Sequence, residues 1–146
     1  MQNADKDLLY LLRVLEAIGK ILRYSEEYQT ADEFLFSNNQ KDYNASLLLL
    51  MQIGEQAAKV STNTKANFPE IKWQAIKDFR NRIVHDYVNI DSLIVFSIIR
   101  HGLPPLVLQI SNCIKEQISK NVFKINELEI SKGSIFYQNI NFSLLQ

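Results

Sequence analysis

Apolar residues recur at helical intervals over most of the chain. Leu8, Leu11, Leu12, Leu15, Ile18 and Leu22 share one stripe, with charged residues on the remaining faces, and predict a first helix. The stretch TADEF, Thr30 to Phe34, sets a threonine three residues before Glu33, the pattern of a capping box. A short second helix should follow and fray in SNNQ, Ser37 to Gln40. A third helix is expected from about Asp42 to Ser61. Its run ASLLLLMQIGEQAAKV is apolar on most faces, which marks the central helix of the fold. Glu55 lies on a stripe with Leu47, Leu48, Met51 and Ala58, so at least partial burial is expected. A buried carboxylate needs a cation or several hydrogen bonds.

STNTKANFPEI reads as loop, with Pro69 placed to precede or open the next helix. That fourth helix should cover about Ile71 to Tyr87, with Trp73, Ile76, Arg80, Ile83 and Tyr87 on one stripe. VNID breaks it, and Asp91 is a good N-cap for a fifth helix carrying Leu93, Ile94, Phe96 and Ile98. Pro104 and Pro105 should interrupt or kink that helix before it resumes toward Lys120. The pattern as a whole predicts an all-α, up-and-down bundle of about five helices. Residues 1–123 would form the bundle and 124–146 an extension of unknown role. SIFYQNINFSLL in that extension is aromatic and β-prone without a helical period, which predicts an irregular or β-like tail. Three readings of it stand open: a small strand pair, a clasp on the bundle, or a partner-binding segment.

A chain of 146 residues is long enough to bury a core without a metal or disulfide staple. Its lone cysteine, Cys113, sits in an apolar run, reads as a small buried residue, and fits a reducing cytoplasm. Lys plus Arg and Asp plus Glu both number 16, so a broad electrostatic coating of nucleic acid is not expected, although a local cationic cleft is allowed. MQNADKDLLY carries charges and no long apolar run, so no signal peptide is expected, and no membrane-spanning stretch of 18 apolar residues is apparent.

The candidate chemistry lies in KDFRNRIVHDYVNID, where Arg80, His85 and Tyr87 cluster at the end of the fourth helix. Arg80 and Tyr87 point nearly the same way on a helix, but His85 lies about 140° from Arg80. His85 shares its stripe instead with Asp78, Asn81 and Arg82. The two groups can meet if the helix distorts near its end, or if a symmetric dimer sets this helix against its twin. The residue types suit RNA. The RNA 2′-hydroxyl is a built-in nucleophile, a histidine can move its proton, and an arginine fork can clamp the phosphate. No cofactor is required, and no carboxylates and histidines stand at metal-ligand spacing. Structural readings compete: Arg80 could be a bridge to Glu55, Tyr87 a core residue, and His101 has no partner spacing.

RNRIVHDY followed by NID resembles the Arg, four residues, His, one residue, Tyr motif of HEPN-domain proteins, and most closely their HepT-like (DUF86) branch. LLLMQIGEQAAKV is similar to that family's Gly-Glu helix, and the spacing of Pro69, Ile71, Trp73, Ile76, Arg80 and Asn81 to its Trp segment. The resemblance runs in order from about Leu8 to Ile118 and stops before the tail. It implies a dimeric helical bundle with the motif in a cleft between protomers, and a metal-independent endoribonuclease acting as the toxin of a type VII-like toxin–antitoxin pair. Its partner would be a minimal, MntA-like nucleotidyltransferase that adenylylates the motif tyrosine. Carried over, Arg80 would hold the scissile phosphate, His85 would transfer protons, Tyr87 would be modified, and Asn81 would help shape the site. Glu55 is expected as a support rather than a base. The alternatives are a non-catalytic module that pairs with a nucleotidyltransferase, and a purely structural dimerisation bundle.

Overall fold

The computed structural model describes residues 6–146, so the N-terminal reading rests partly on residues 1–5, outside the described residues. Eight α-helices follow in order: α1 Asp7–Ser25, α2 Ala31–Phe36, α3 Lys41–Lys59, α4 Thr62–Asn67, α5 Trp73–Asp86, α6 Ser92–Ser97, α7 Leu103–Ser119 and α8 Ile125–Lys132. The architecture is an all-α bundle. α3 lies between α1 and α5 and packs along both, while α7 closes on α1. The first-helix stripe is the core: Leu8, Leu11, Leu12, Leu15 and Ile18 are buried, with Leu22 partly so.

The termini of these helices follow from local chemistry. Thr30 Oγ1 accepts from Glu33 N at 3.2 Å, while Glu33 reaches back to Gln29 N at 2.9 Å, one residue before the cap. The expected fraying at Ser37–Gln40 is instead an ordered turn, with Asn38, Asn39 and Gln40 all at positive φ. The stretch expected as loop contains α4, capped by Ser61. Buried Asp7 organises that corner, accepting from Ser61 N (2.9 Å), Ser61 Oγ (2.6 Å) and Thr64 Oγ1 (2.7 Å). Asp7→Ala leaves these donors without their acceptor and should destabilise the fold by about 2–3 kcal/mol. A urea titration reads this as a lower midpoint at unchanged slope.

Asp91 caps α6, accepting from Leu93 N at 2.9 Å. Pro104 and Pro105 interrupt the regular helix as expected, without ending the rod. A proline removes an N–H and crowds the turn before it, and there a π-turn stands over Ile98–Gly102 before α7 resumes. That turn aims Arg100 at the end of α1, where its guanidinium donates to Ser25 O at 2.8 Å and to Tyr28 O, and lies 4.8 Å from the Phe96 ring. The continuous rod Ser92–Ser119 corrects one expectation, because by length and composition it is apolar enough to cross a membrane. Its positions Val95, Ile99, Leu103, Ile110 and Ile114 are bundle core. Cys113 is buried there too, and burial, ahead of nearby carboxylates, pushes its thiol up to about 12, so it stays protonated and inert.

Of the three readings left open for the tail, the clasp is the one the structure takes. No strand occurs among the described residues, and the chain folds into α8 and then clasps the bundle. Leu128 and Leu145 are buried, and Tyr137, Ile140 and Phe142 pack against the core. Buried Glu16 of α1 accepts from Asn139 N (2.8 Å) and Nδ2 (2.7 Å), while Arg23 donates to Asn139 Oδ1 at 3.1 Å. Gly19 makes room for this clasp, since a Cβ there would lie 2.1 Å from Asn139 O.

Candidate active site

α5 starts where Trp73 anchors it, the indole N–H donating to Phe68 O at 3.1 Å. About two turns on, α5 presses against α3 at a single glycine. A Cβ on Gly54 would lie 2.2 Å from Arg80 Cβ and 2.6 Å from its Cγ. The absence of a side chain at Gly54 therefore sets how closely Arg80 approaches α3. A glycine inside an otherwise strong helix costs about 1 kcal/mol against alanine, so its presence in α3 was itself a signal of close approach.

The Arg80 guanidinium is held on two sides. Nη2 lies 3.2 Å from Glu55 Oε1, and Nη1 donates to Asn81 Oδ1 at 3.1 Å. Nε is shielded from solvent and has no partner among the described residues. The side chains of Arg80 and Glu55 are 33% and 44% exposed. Glu55 is half-buried and paired with a cation, as its stripe suggested. Leu47 of that stripe is core while Leu48 is 53% exposed, so the stripe runs along the edge of the buried face of α3. An ion pair this open to water contributes at most about 1 kcal/mol to stability, and its stronger effect is on where the guanidinium points.

Tyr87 joins Arg80 and Glu55 in one groove between α3 and α5. The reading of Tyr87 as core is corrected, for it is 60% exposed. α5 ends at Asp86, whose φ of −158° and ψ of 51° are not helical, and a 3-10 turn, Tyr87–Asn89, follows. Exposed His85 opens onto a different depression, lined also by Asn81, Arg82 and Asn89. The backbone distortion comes after His85 and does not bring it round to Arg80. Asn81 connects the two, since it bonds Arg80 and borders the depression of His85. Val84, Val88 and Leu93 are exposed apolar residues around the same helix end. His101 lines a separate apolar cavity with Ile76, Phe79 and Leu106. Among the described residues, no group of three or more His, Cys, Asp or Glu is placed to hold a metal ion.

The family model described as Ribonuclease HepT-like matches residues 14–113. A protein named probable ribonuclease HepT from Thermococcus cleftensis is 27% identical over 106 residues, covering 73% of this chain and 92% of that protein. A putative RNase of Methanocaldococcus jannaschii is 23% identical over 97 residues, covering 66% of this chain and 86% of that one. A second putative RNase of the same organism is 25% identical over 107 residues, 73% of this chain and 86% of its own length. No solved structure matches the chain.

Proposed function

Because the chain belongs to the HepT-like ribonuclease family, we propose that it is a metal-independent endoribonuclease, the toxin of a type VII-like toxin–antitoxin pair. It acts on cytoplasmic RNA. The observation that carries this reading is the oriented guanidinium: Arg80, fixed by Glu55 and Asn81, beside exposed Tyr87 and next to the depression of His85.

In the reaction, the RNA 2′-oxygen attacks the adjacent phosphorus and the 2′-hydroxyl loses its proton. The bond from phosphorus to the 5′-oxygen breaks, and that oxygen takes a proton. Arg80 binds the phosphate oxygens on which negative charge builds. His85 transfers the proton, as an imidazole does well near neutral pH. Glu55 and Asn81 hold the Arg80 fork in place. Two copies supply one site, Arg80 facing His85 of the twin α5, and the exposed apolar residues Val84, Val88 and Leu93 favour such a homodimer contact.

Regulation uses Tyr87. A minimal, MntA-like nucleotidyltransferase brings ATP, the tyrosine oxygen attacks the α-phosphorus, and pyrophosphate leaves. The added nucleotide places an anion in the groove where RNA phosphate would lie, blocking it by bulk and by like charge. The exposure of Tyr87 and its position beside Arg80 favour this.

The test is cleavage of total RNA by the unmodified protein in excess chelator, with its intact mass recorded. Cleavage is expected. A folded protein of unmodified mass that leaves RNA intact overturns the nuclease reading in favour of a binding module.

A further inference from the structure

The family match ends at residue 113, and the relatives are covered over most of their own length by 97 to 107 residues of this chain. The tail is therefore an addition to the shared bundle, and it is seated beside the candidate site. On the side of α3 away from Arg80, α1, α3 and the tail enclose a second groove. Glu55 lines this groove and the groove of Arg80 and Tyr87 alike, so the two meet at one turn of α3. Arg80 reaches Glu55 from one side of that turn, and Arg13 reaches Gln56 from the other, at 3.4 Å. The carboxylates of the second groove are already engaged, Glu16 by Asn139 and Lys20, Glu55 by Arg80. Arg13 has no acidic partner among the described residues.

The tail's contribution is aromatic. Phe136 lines the groove and is 76% exposed. It is not a loose end: Phe136 N donates to Ser134 Oγ at 3.1 Å, Tyr137 beside it packs on the core, and the Asn139 clasp follows. A cation without an acidic partner and an exposed aromatic ring on an anchored stretch of backbone, on a path leading to a phosphate-binding arginine, are the parts a single RNA strand needs.

Resting on the nuclease reading, we propose that the tail builds a subsite for the single-stranded RNA flanking the cleaved bond. Arg13 binds a flanking phosphate and Phe136 stacks on a base. The strand crosses α3, with its scissile phosphate at Arg80. The α3 turn keeps the two cations apart by about one helix width, so Arg13 meets a phosphate other than the one being cut.

Binding of a labelled, fully 2′-O-methylated oligoribonucleotide, which lacks the nucleophile and stays intact, tests this. Affinity would be measured over a salt series on the full chain, alongside cleavage of the unmethylated strand. Phe136→Ala should weaken binding roughly tenfold without changing the salt slope, and Phe136→Trp should restore it. Arg13→Gln should reduce the salt slope by about 0.7, one phosphate contact on a single strand. Both side chains are exposed, so the variants fold. If the wild type cleaves RNA while Phe136→Ala and Arg13→Gln bind as the wild type does, the subsite falls and the nuclease reading stands. If the wild type neither cleaves nor binds, both fall together.

Discussion

His85→Ala should lower RNA cleavage by about 10²- to 10⁴-fold, the usual loss when a proton-transferring group is removed. Stability should hardly move. His85 is exposed, and surface substitutions of this kind stay within about 0.5 kcal/mol. Arg80→Ala should fail as badly for a different reason, the loss of the phosphate clamp. The two defects can be used against each other. Within one chain, Arg80 and His85 open onto separate depressions. If a site takes Arg80 from one protomer and His85 from its twin, a mixed dimer of Arg80→Ala and His85→Ala holds one intact site and one doubly broken site. Random exchange of the two inactive variants should then restore roughly a quarter of wild-type activity. Were both residues to act from the same protomer, every site in the mixture would be broken. Recovery after mixing is thus the expected result, and persistent silence would place the two groups in cis.

How far the molecule was legible from its sequence depended on the range of the interactions involved. Local periodicity located α1, α3, α5 and the α6–α7 rod, because a 3.6-residue repeat is written in the residues that bury it. Caps at Thr30 and Asp91 were equally local. Periodicity does not say, however, whether an apolar stripe faces the core or an outer face of the chain. The stripe of Glu55 lies on the boundary between the two: Leu47 is buried, Leu48 is exposed, and the carboxylate is half-buried. Propensity left the tail open between a strand pair, a clasp and a partner-binding segment. Its aromatic residues favour strands in isolation, but tertiary contacts decided otherwise: Leu128 and Leu145 dock on the bundle, and Asn139 is captured by Glu16 and Arg23 more than a hundred positions earlier. The candidate site divides the same way. Arg80, Asn81, His85 and Tyr87 stand out by type and spacing, and the angular mismatch between Arg80 and His85 follows from helix geometry alone. Phe136 and Arg13 did not stand out, since only the fold brings them to one groove.

Gly54 gives the sharpest link between packing and chemistry. Gly54→Ala raises the helix propensity of α3 by about 1 kcal/mol, so on local grounds alone it should stabilise the protein. The contact at Arg80 reverses the sign. The new methyl would lie 2.2 Å from Arg80 Cβ and 2.6 Å from Cγ, far inside van der Waals contact. Those atoms are the stem of the side chain, close to the α5 backbone, so rotating the guanidinium out of the way gives no relief. α5 itself must move off α3. Overpacking of this kind costs about 1–3 kcal/mol. After the propensity gain, a net loss of up to about 2 kcal/mol remains, a fall in Tm of several degrees for a chain of this size. Activity should suffer more. Displacement of a catalytic group by about 1 Å can cost 10²-fold, and here the displaced group is the phosphate clamp, together with its contacts to Glu55 and Asn81. The expected result is a folded protein, slightly less stable, with cleavage reduced by about 10²-fold or more. Calorimetry and a cleavage assay on one preparation separate the two effects. A Gly54→Ala protein that melts higher than wild type and still cuts RNA would mean that α3 and α5 yield at this point without moving Arg80, and that Gly54 does not position it.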